Sequence, residues 1–472
     1  MVAGLQILSM GQDQPSQNPP GQSPGDDSGS ARTAPAAALS SIAGLQPEGG
    51  TEDAASDLPQ IPALLGGKGT SAAFLPELER SNYLRGGVNV GAVYDSNPLL
   101  LSSGESNTSE TIFPNIRIEE STSRMRWTLG YAGGLTVNQK ITSENQGSHN
   151  LTFDSQYRLS PHVNLRVAED FSMKTGFFDA GNGAEVAAGS GGPNASLIAP
   201  LSTQRSSITT VATNYHVALN DLIGASGSFY DLHFTNVPAG ALLTDSETAS
   251  GSVFWLHRIF HEDWSGLSYR FDRITSNPGS DETQVHNFLA VNTLSLAKRF
   301  TLTGFVGPQY SENQGLTSAA MPPTQSSGWS VTGGAEGGWR NQRTSVSAEY
   351  SRSVSDGGGL LGAVHLQNVR ANFRRELVPG WAAALTASHG TNQAVTLPFA
   401  NSATSINLTS AGISLERNVA KSIGLRMGYT HDFQEQSGVP GPTPTSPAQT
   451  LDANRNRFFV TLSYQWAKPL GM

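Results

Sequence analysis

Few stretches of this chain hold residues able to do covalent or metal chemistry, and each fails on spacing. Gly66-Gly67-Lys68-Gly69 has the glycines and the lysine of a phosphate-binding loop. Pro62 stands where that loop needs its first Gly, and no Ser or Thr directly follows Lys68 to hold magnesium. Asp154 and Asp170 are candidates for paired acid/base work, although isolated acids on a water-facing surface more often solvate it. The 10 histidines show no two-by-two ligand spacing. With Cys 0, disulfides, thiol catalysis and cysteine-ligated metals drop out. Neither a metal nor a cofactor is implied.

Composition narrows the class. Charged residues make up 14% of the 472 positions and hydrophobic ones only 37%, with 51 glycines and a mean hydropathy of −0.27. A soluble protein this poor in charge normally carries a richer core. A large membrane barrel needs none, because lipid covers one face of each strand and water the other. Net charge of −9 and a pI near 5.6 argue against a nucleic-acid partner. No run approaches the ~20 apolar residues of a membrane helix, which leaves the closed barrel as the way to satisfy a backbone in lipid.

The elements follow from period-two alternation. Met125, Trp127, Leu129, Tyr131, Leu135 and Val137 face one way, and Arg126, Thr128, Gly130, Ala132, Thr136 and Asn138 the other. Leu84, Val88, Val90, Ala92 and Tyr94 alternate with Arg85, Gly87, Asn89 and Gly91 before the turn Asp95-Ser96-Asn97-Pro98. Similar runs continue to the C-terminus and predict about 18 strands, an even number as single-chain bacterial barrels require. Near Trp264, Phe288 and Ile406 the apolar residues change parity, which admits a bulge or a misplaced strand.

Connections alternate in length. Ser160-Pro161-His162, Asn220-Asp221, Ala297-Lys298-Arg299, Asn341-Gln342-Arg343 and Val378-Pro379-Gly380 are short turns. Between them lie long Gly/Ser/Asn/Pro-rich stretches near 95–109, 139–147, 175–203, 235–245, 312–325, 392–403 and 434–453, the asymmetry of periplasmic turns and extracellular loops. Trp127, Trp255, Trp264, Trp339, Trp381 and Trp466 lie near short-turn ends, as a periplasmic aromatic girdle would, with Tyr94, Tyr310, Tyr350 and Phe433 as candidates for the outer girdle.

The last strand, Asn454 to Trp466, places Phe458, Val460, Leu462, Tyr464 and Trp466 on one face, with Phe459 the exception among the residues between. Its aromatic ending resembles the insertion signal that the barrel-assembly machinery reads in Gram-negative outer-membrane barrels, with Tyr464 and Trp466 as the pair. Residues 84–466 as a whole resemble a large outer-membrane β-barrel of the porin-like or export-channel kind. Gly307-Pro308-Gln309-Tyr310 and Tyr350-Ser351-Arg352-Ser353-Val354 are similar to segments of a widespread group without assigned chemistry. The fold expected is all-β, a transmembrane antiparallel up-and-down barrel in outer-membrane lipid. Residues 1–83 read as a truncated or cryptic export signal followed by a disordered Pro/Gly/Ser-rich periplasmic extension, with a helical turn or two near 72–80. Ser388-His389-Gly390-Thr391 resembles the His-x-Ser neighbourhood of outer-membrane phospholipases, but Thr391 replaces the serine and those barrels are smaller. The reading is therefore not an enzyme.

Charge placement then suggests function. Arg85, Arg117, Arg126, Asp154, Arg158, Arg166, Asp170, Glu336, Glu349 and Arg426 fall on expected lumen faces; a lipid-facing Arg or Lys at the midplane would cost about 2–4 kcal/mol. So do Lys174, Arg370, Arg374, Arg457, Glu119, Glu416 and Asp432. The 175–203 connection, with Phe177, Phe178, Asp179 and Glu185, is a candidate constriction loop. A passive or weakly selective channel for small solutes is the first reading. A conduit for an exported polymer such as a polysaccharide, or a surface-display or adhesion scaffold, stays open beside it. The oligomeric state is not legible.

Overall fold

The computed structural model describes residues 82–98, 106–141, 145–178, 199–237, 243–260, 263–276, 281–296, 299–315, 324–359, 361–395, 405–437 and 453–470. The expected export signal, extension and helical turns before residue 82 lie outside them.

The described chain is all strand. Its elements are β1 (Tyr83–Asp95), β2 (Asn107–Ser121), β3 (Met125–Asn138), β4 (Gln146–Ser160), β5 (Val163–Phe178) and β6 (Ala199–Ala218). Then come β7 (Asp221–Thr235), β8 (Ser246–Arg258), β9 (Trp264–Ser276), β10 (Asp281–Leu296), β11 (Phe300–Gly315) and β12 (Thr324–Arg340). The last are β13 (Thr344–Gly357), β14 (Leu361–Val378), β15 (Trp381–Ala394), β16 (Ser405–Ala420), β17 (Ile423–Ser437) and β18 (Ala453–Pro469). Each strand pairs antiparallel with its sequence neighbours in one 18-stranded sheet. β1 closes on β18 from Tyr83↔Pro469 to Asp95↔Arg457. Closure removes the sheet edge that lipid could not satisfy.

The two faces differ as the alternation requires. Val90, Tyr131, Leu135, Val253, Leu385, Val460 and Leu462 point outward and are exposed, a band of apolar side chains around the barrel. No helix among the described residues is long and apolar enough to cross a membrane; this chain crosses with strands. A closed, even-stranded barrel with an apolar outer face is an outer-membrane β-barrel.

Short turns join the even strands to the odd ones, as at 161–162, 219–220, 379–380 and 421–422. Gly380 takes φ +79 after Pro379, a left-handed residue that lets β14 reverse into β15. On the opposite end the alternation of lengths fails twice. Only 277–280 separates β9 from β10, and only 358–360 separates β13 from β14. The long connection expected at 175–203 is also shorter, because β5 runs on to Phe178 and pairs with β6 from Ala199.

None of the parity changes is a bulge. β10 keeps one register with β11 past Phe288, and β9 with β10 from Trp264 onward. Ile406 likewise pairs in phase, with Asn392 and Gln436. The parity changes because apolar residues occupy the lumen side at these places. Trp264 corrects the girdle assignment: it points inward at 1% exposure, beneath the Arg258 guanidinium 4.8 Å from its ring centre. Trp127, Trp255, Trp339, Trp381 and Trp466 remain on the outer face at the short-turn end. Phe459, the odd residue of the last strand, also faces in, where an added Cβ on Gly428 would lie 2.5 Å from its ring.

Candidate functional site

The lumen has two unlike walls. From β14 through β18 and on to β5, inward positions carry charge of both signs, and opposite signs meet across a ladder, diagonally, or two residues apart on one strand. Glu119 takes Arg117 Nε at 2.9 Å and Arg85 Nε at 3.3 Å. Arg166 Nε donates to Asp154 at 2.8 Å, and Asp170 accepts from Asn150 at 3.3 Å. Glu416 sits between Arg374 at 3.0 Å and Arg426 at 3.7 Å. Near the loop end the pairs are buried: Arg457 donates to Asp432 at 2.5 Å, with side-chain exposures of 2% and 7%, and Arg455 donates to Asp95 at 2.5 Å. Arg126 and Arg158 share the inward parity, opposite Gln156 and Asn164.

Glu336 and Glu349 face each other across β12 and β13, and Glu349 also faces Arg370 across β14. Phe177 and Phe178 are strand residues at the end of β5 rather than loop. Asp179 and Glu185 lie outside the described residues. His389 is on the outer face, its Nδ1 2.9 Å from Thr409 Oγ1, so the Ser388-His389 segment offers no lumen nucleophile. Among the described residues no group of three or more His, Asp or Glu is placed to hold a metal.

The second wall, β7 to β11, carries apolar clusters toward both ends and a polar row in the middle, with Asn313 donating to Thr283 at 2.7 Å as a further polar pair toward the loops. Toward the short turns Leu222, Phe254, Leu256, Trp264, Leu289, Val291 and Phe305 form one buried cluster. Toward the loops Tyr230, Leu232 and Phe234 form a second, and Ile274, Val285, Val354 and Ala363 a third. Between them runs a hydrogen-bonded row that crosses five strands. Ser250 Oγ and Arg270 Nε donate to Asp272 at 2.6 and 2.7 Å. Asn287 donates to Asp272 at 3.3 Å, Gln309 to Asn287 at 2.8 Å, and Ser330 to Gln309 at 3.1 Å. Such a row holds side chains that would be costly to bury singly. Sequence reading missed it, because Asn287 and Gln309 stand in runs that look apolar on both faces. The only available signal was a lone amide recurring at matched heights on adjacent strands. Gly307, two residues before Gln309, permits close strand approach: a Cβ there would lie 1.7 Å from the Phe288 carbonyl oxygen.

The third cluster contains a departure from the cylinder. Among the described residues β12 pairs with β13 only from Gly333↔Arg352 to Arg340↔Ser345, whereas β12 stays paired with β11 up to Thr324. Above that split Ser353 to Gly357 are buried on both faces. Val354 and Ala363 pack on Ile274 of β9 and Val285 of β10. Thr244 N–H donates to Gly359 C=O at 2.8 Å, and an added Cβ on Gly359, at φ +85, would meet the Phe234 ring at 2.2 Å. The β13–β14 tip therefore tucks into the mouth of the lumen and rests on β7 to β10. The upper part of β12 is left exposed, Trp329 at 67%.

No protein-family pattern matches the chain, and no curated protein matches it. Among solved structures it is similar to the ferric citrate transporter FecA in its unliganded form, with 8% identity over 87% of this chain and 83% of that one and a TM-score of 0.46. It is also similar to the outer membrane protein OpdK of Pseudomonas aeruginosa, with 10% identity over 82% and 99% and a TM-score of 0.41. The ferric-catecholate import receptor Fiu of E. coli K12 gives 8% identity over 83% and 82%, with a TM-score of 0.43. At such identities and scores these likenesses add nothing about what passes.

Proposed function

We propose that this outer-membrane barrel is a channel for passive or weakly selective passage of small solutes. The observation that carries the reading is a charged wall in which both signs are interleaved. Arg85, Arg117 and Glu119, Arg166 and Asp154, and Arg374, Arg426 and Glu416 each combine both signs within a few ångströms. Such triads and pairs, each triad with one Arg more than carboxylates, leave a wettable surface with a modest positive excess, which favours passage of water and small polar molecules with a weak preference for anions rather than capture of one ion type. The apolar wall opposite limits the wetted part of the section.

Purified protein added to planar bilayers is expected to give discrete conductance steps with a small reversal potential in a salt gradient. Folded, heat-modifiable protein that gives no steps would overturn the reading. Deleting Gly181 to Ala195 is expected to raise the step size if the connection after β5 narrows the path, and to leave it unchanged if that connection stays clear of the path.

A further inference from the structure

We propose that the tucked β13–β14 tip is a moving part of the wall, able to leave the lumen and zip onto the free edge of β12; as a gate it rests on the channel reading. The split edge and the tip are complementary. Gly333 faces Arg352, and the register rises by one on β12 as it falls by one on β13. Continued upward, it would set Thr332 against Ser353, Val331 against Val354 and Ser330 against Ser355.

Thr332 and Ser330 hold lumen-side positions and Val331 the lipid side. In that continued pairing Ser353 and Ser355 would join the lumen side and Val354 the lipid side. The alternation of 353–355 thus suits a place in the wall, while the segment sits in the interior. There the Ser353 and Ser355 hydroxyls are buried without hydrogen-bond partners among the described residues, a cost that a wet lumen face would remove. Upper β12 meanwhile, beyond Gly333, has no β13 partner among the described residues.

Holding the tip inward are the Val354–Ile274–Val285–Ala363 contact and the Thr244–Gly359 hydrogen bond. Each arrangement satisfies what the other leaves unmet, which is the requirement for a two-state element. The split is held at Thr332, whose Oγ1 donates to the Arg352 carbonyl at 2.7 Å. Gly357, Gly358 and Gly359 give the tip backbone freedom, the last two at φ 63 and 85.

The absence of native cysteine makes the test direct. S276C/G362C should lock the tip inward, since a Cβ on Gly362 would lie 3.7 Å from Ser276 Oγ. S330C/S355C can close only if the tip reaches β12, and V331C/V354C reads the same movement should the first pair fail to fold. Under mild oxidant both kinds of pair are expected to cross-link on gels. The first lock should lower conductance and the second raise it, each reversed by reductant. Full closure of S276C/G362C with no closure of either β12 pair in folded protein would overturn the movement. Unchanged conductance on locking would overturn the gate. Cross-linking needs no current, so wild-type protein without conductance would fail the channel reading while leaving the movement tested.

Discussion

The charged wall and the apolar wall of this lumen meet the same requirement by opposite means. Both must fill the inward side of a closed sheet without leaving a polar group stranded. From β14 round to β5 the sequence does so by placing Arg and carboxylates within reach of each other, directly across a ladder at Glu416 and Arg426, diagonally at Asp154 and Arg166, and along one strand at Arg117 and Glu119. From β7 to β11 it packs Leu, Phe and Trp against one another and joins its buried polar side chains by hydrogen bonds, in the row from Ser250 to Ser330 and at Asn313–Thr283. The charged wall remains open to water except near the loops. The apolar wall is a surface on which another part of the chain can rest, and the β13–β14 tip rests there.

The comparison breaks most sharply at the buried pair. Arg457→Met should lower the unfolding free energy of the barrel by about 3–5 kcal/mol, because Asp432 is left charged and buried. Arg457→Met with Asp432→Leu should recover most of that loss. Urea titration of the heat-modifiable band measures both, and an equally unstable double variant would show that the pair's value is not electrostatic. Next in size is the packed wall: Leu289→Ala removes a member of the cluster around Phe305 and Trp264 and should cost about 2–5 kcal/mol in the same titration. A loss well below that range would mean the cluster is loosely packed. The smallest effect is expected at the carboxylates that face each other, Glu336 and Glu349. Glu336→Gln with Glu349→Gln should leave stability nearly unchanged and move the reversal potential toward anions. Movement toward cations would contradict their exposure to the conducting path.

What was legible in the sequence follows the same division. Where the walls carry charge, inward and outward residues differ in kind, and alternation such as Met125 to Asn138 reads directly as a strand. Where the lumen is apolar, both faces look alike. Leu289 and Val291 inward and Phe288 outward are chemically one class, so the parity around them was lost although the register never shifts. Trp264 failed for a related reason: position near a turn says how high a side chain sits, not which way it points. The short connections 277–280 and 358–360 were not anticipated, nor was the tuck between them. That tuck depends on contacts between β7–β10 and β13–β14, which no local pattern encodes. His389 and the acids Asp154 and Asp170 offered chemistry in the linear sequence. In three dimensions the first lies on the lipid side and the others hold neighbouring strands together.

The closing pair β1–β18 sets the order in which this architecture can be completed. Every other ladder joins strands adjacent in sequence, so each forms as a hairpin with a small loop-closure penalty. The β1–β18 ladder alone joins positions separated by nearly the whole barrel, with Asp95 and Arg455 360 residues apart. Closure entropy rises only with the logarithm of that span. The greater obstacle is geometric, since the final ladder matches its partner only when every preceding strand has set its tilt and stagger. Contact order in this chain is thus concentrated in one seam, and the buried Arg455–Asp95 pair lies at its loop end, where misregistry by a single residue would turn one of the two charges toward lipid and leave the other buried without it.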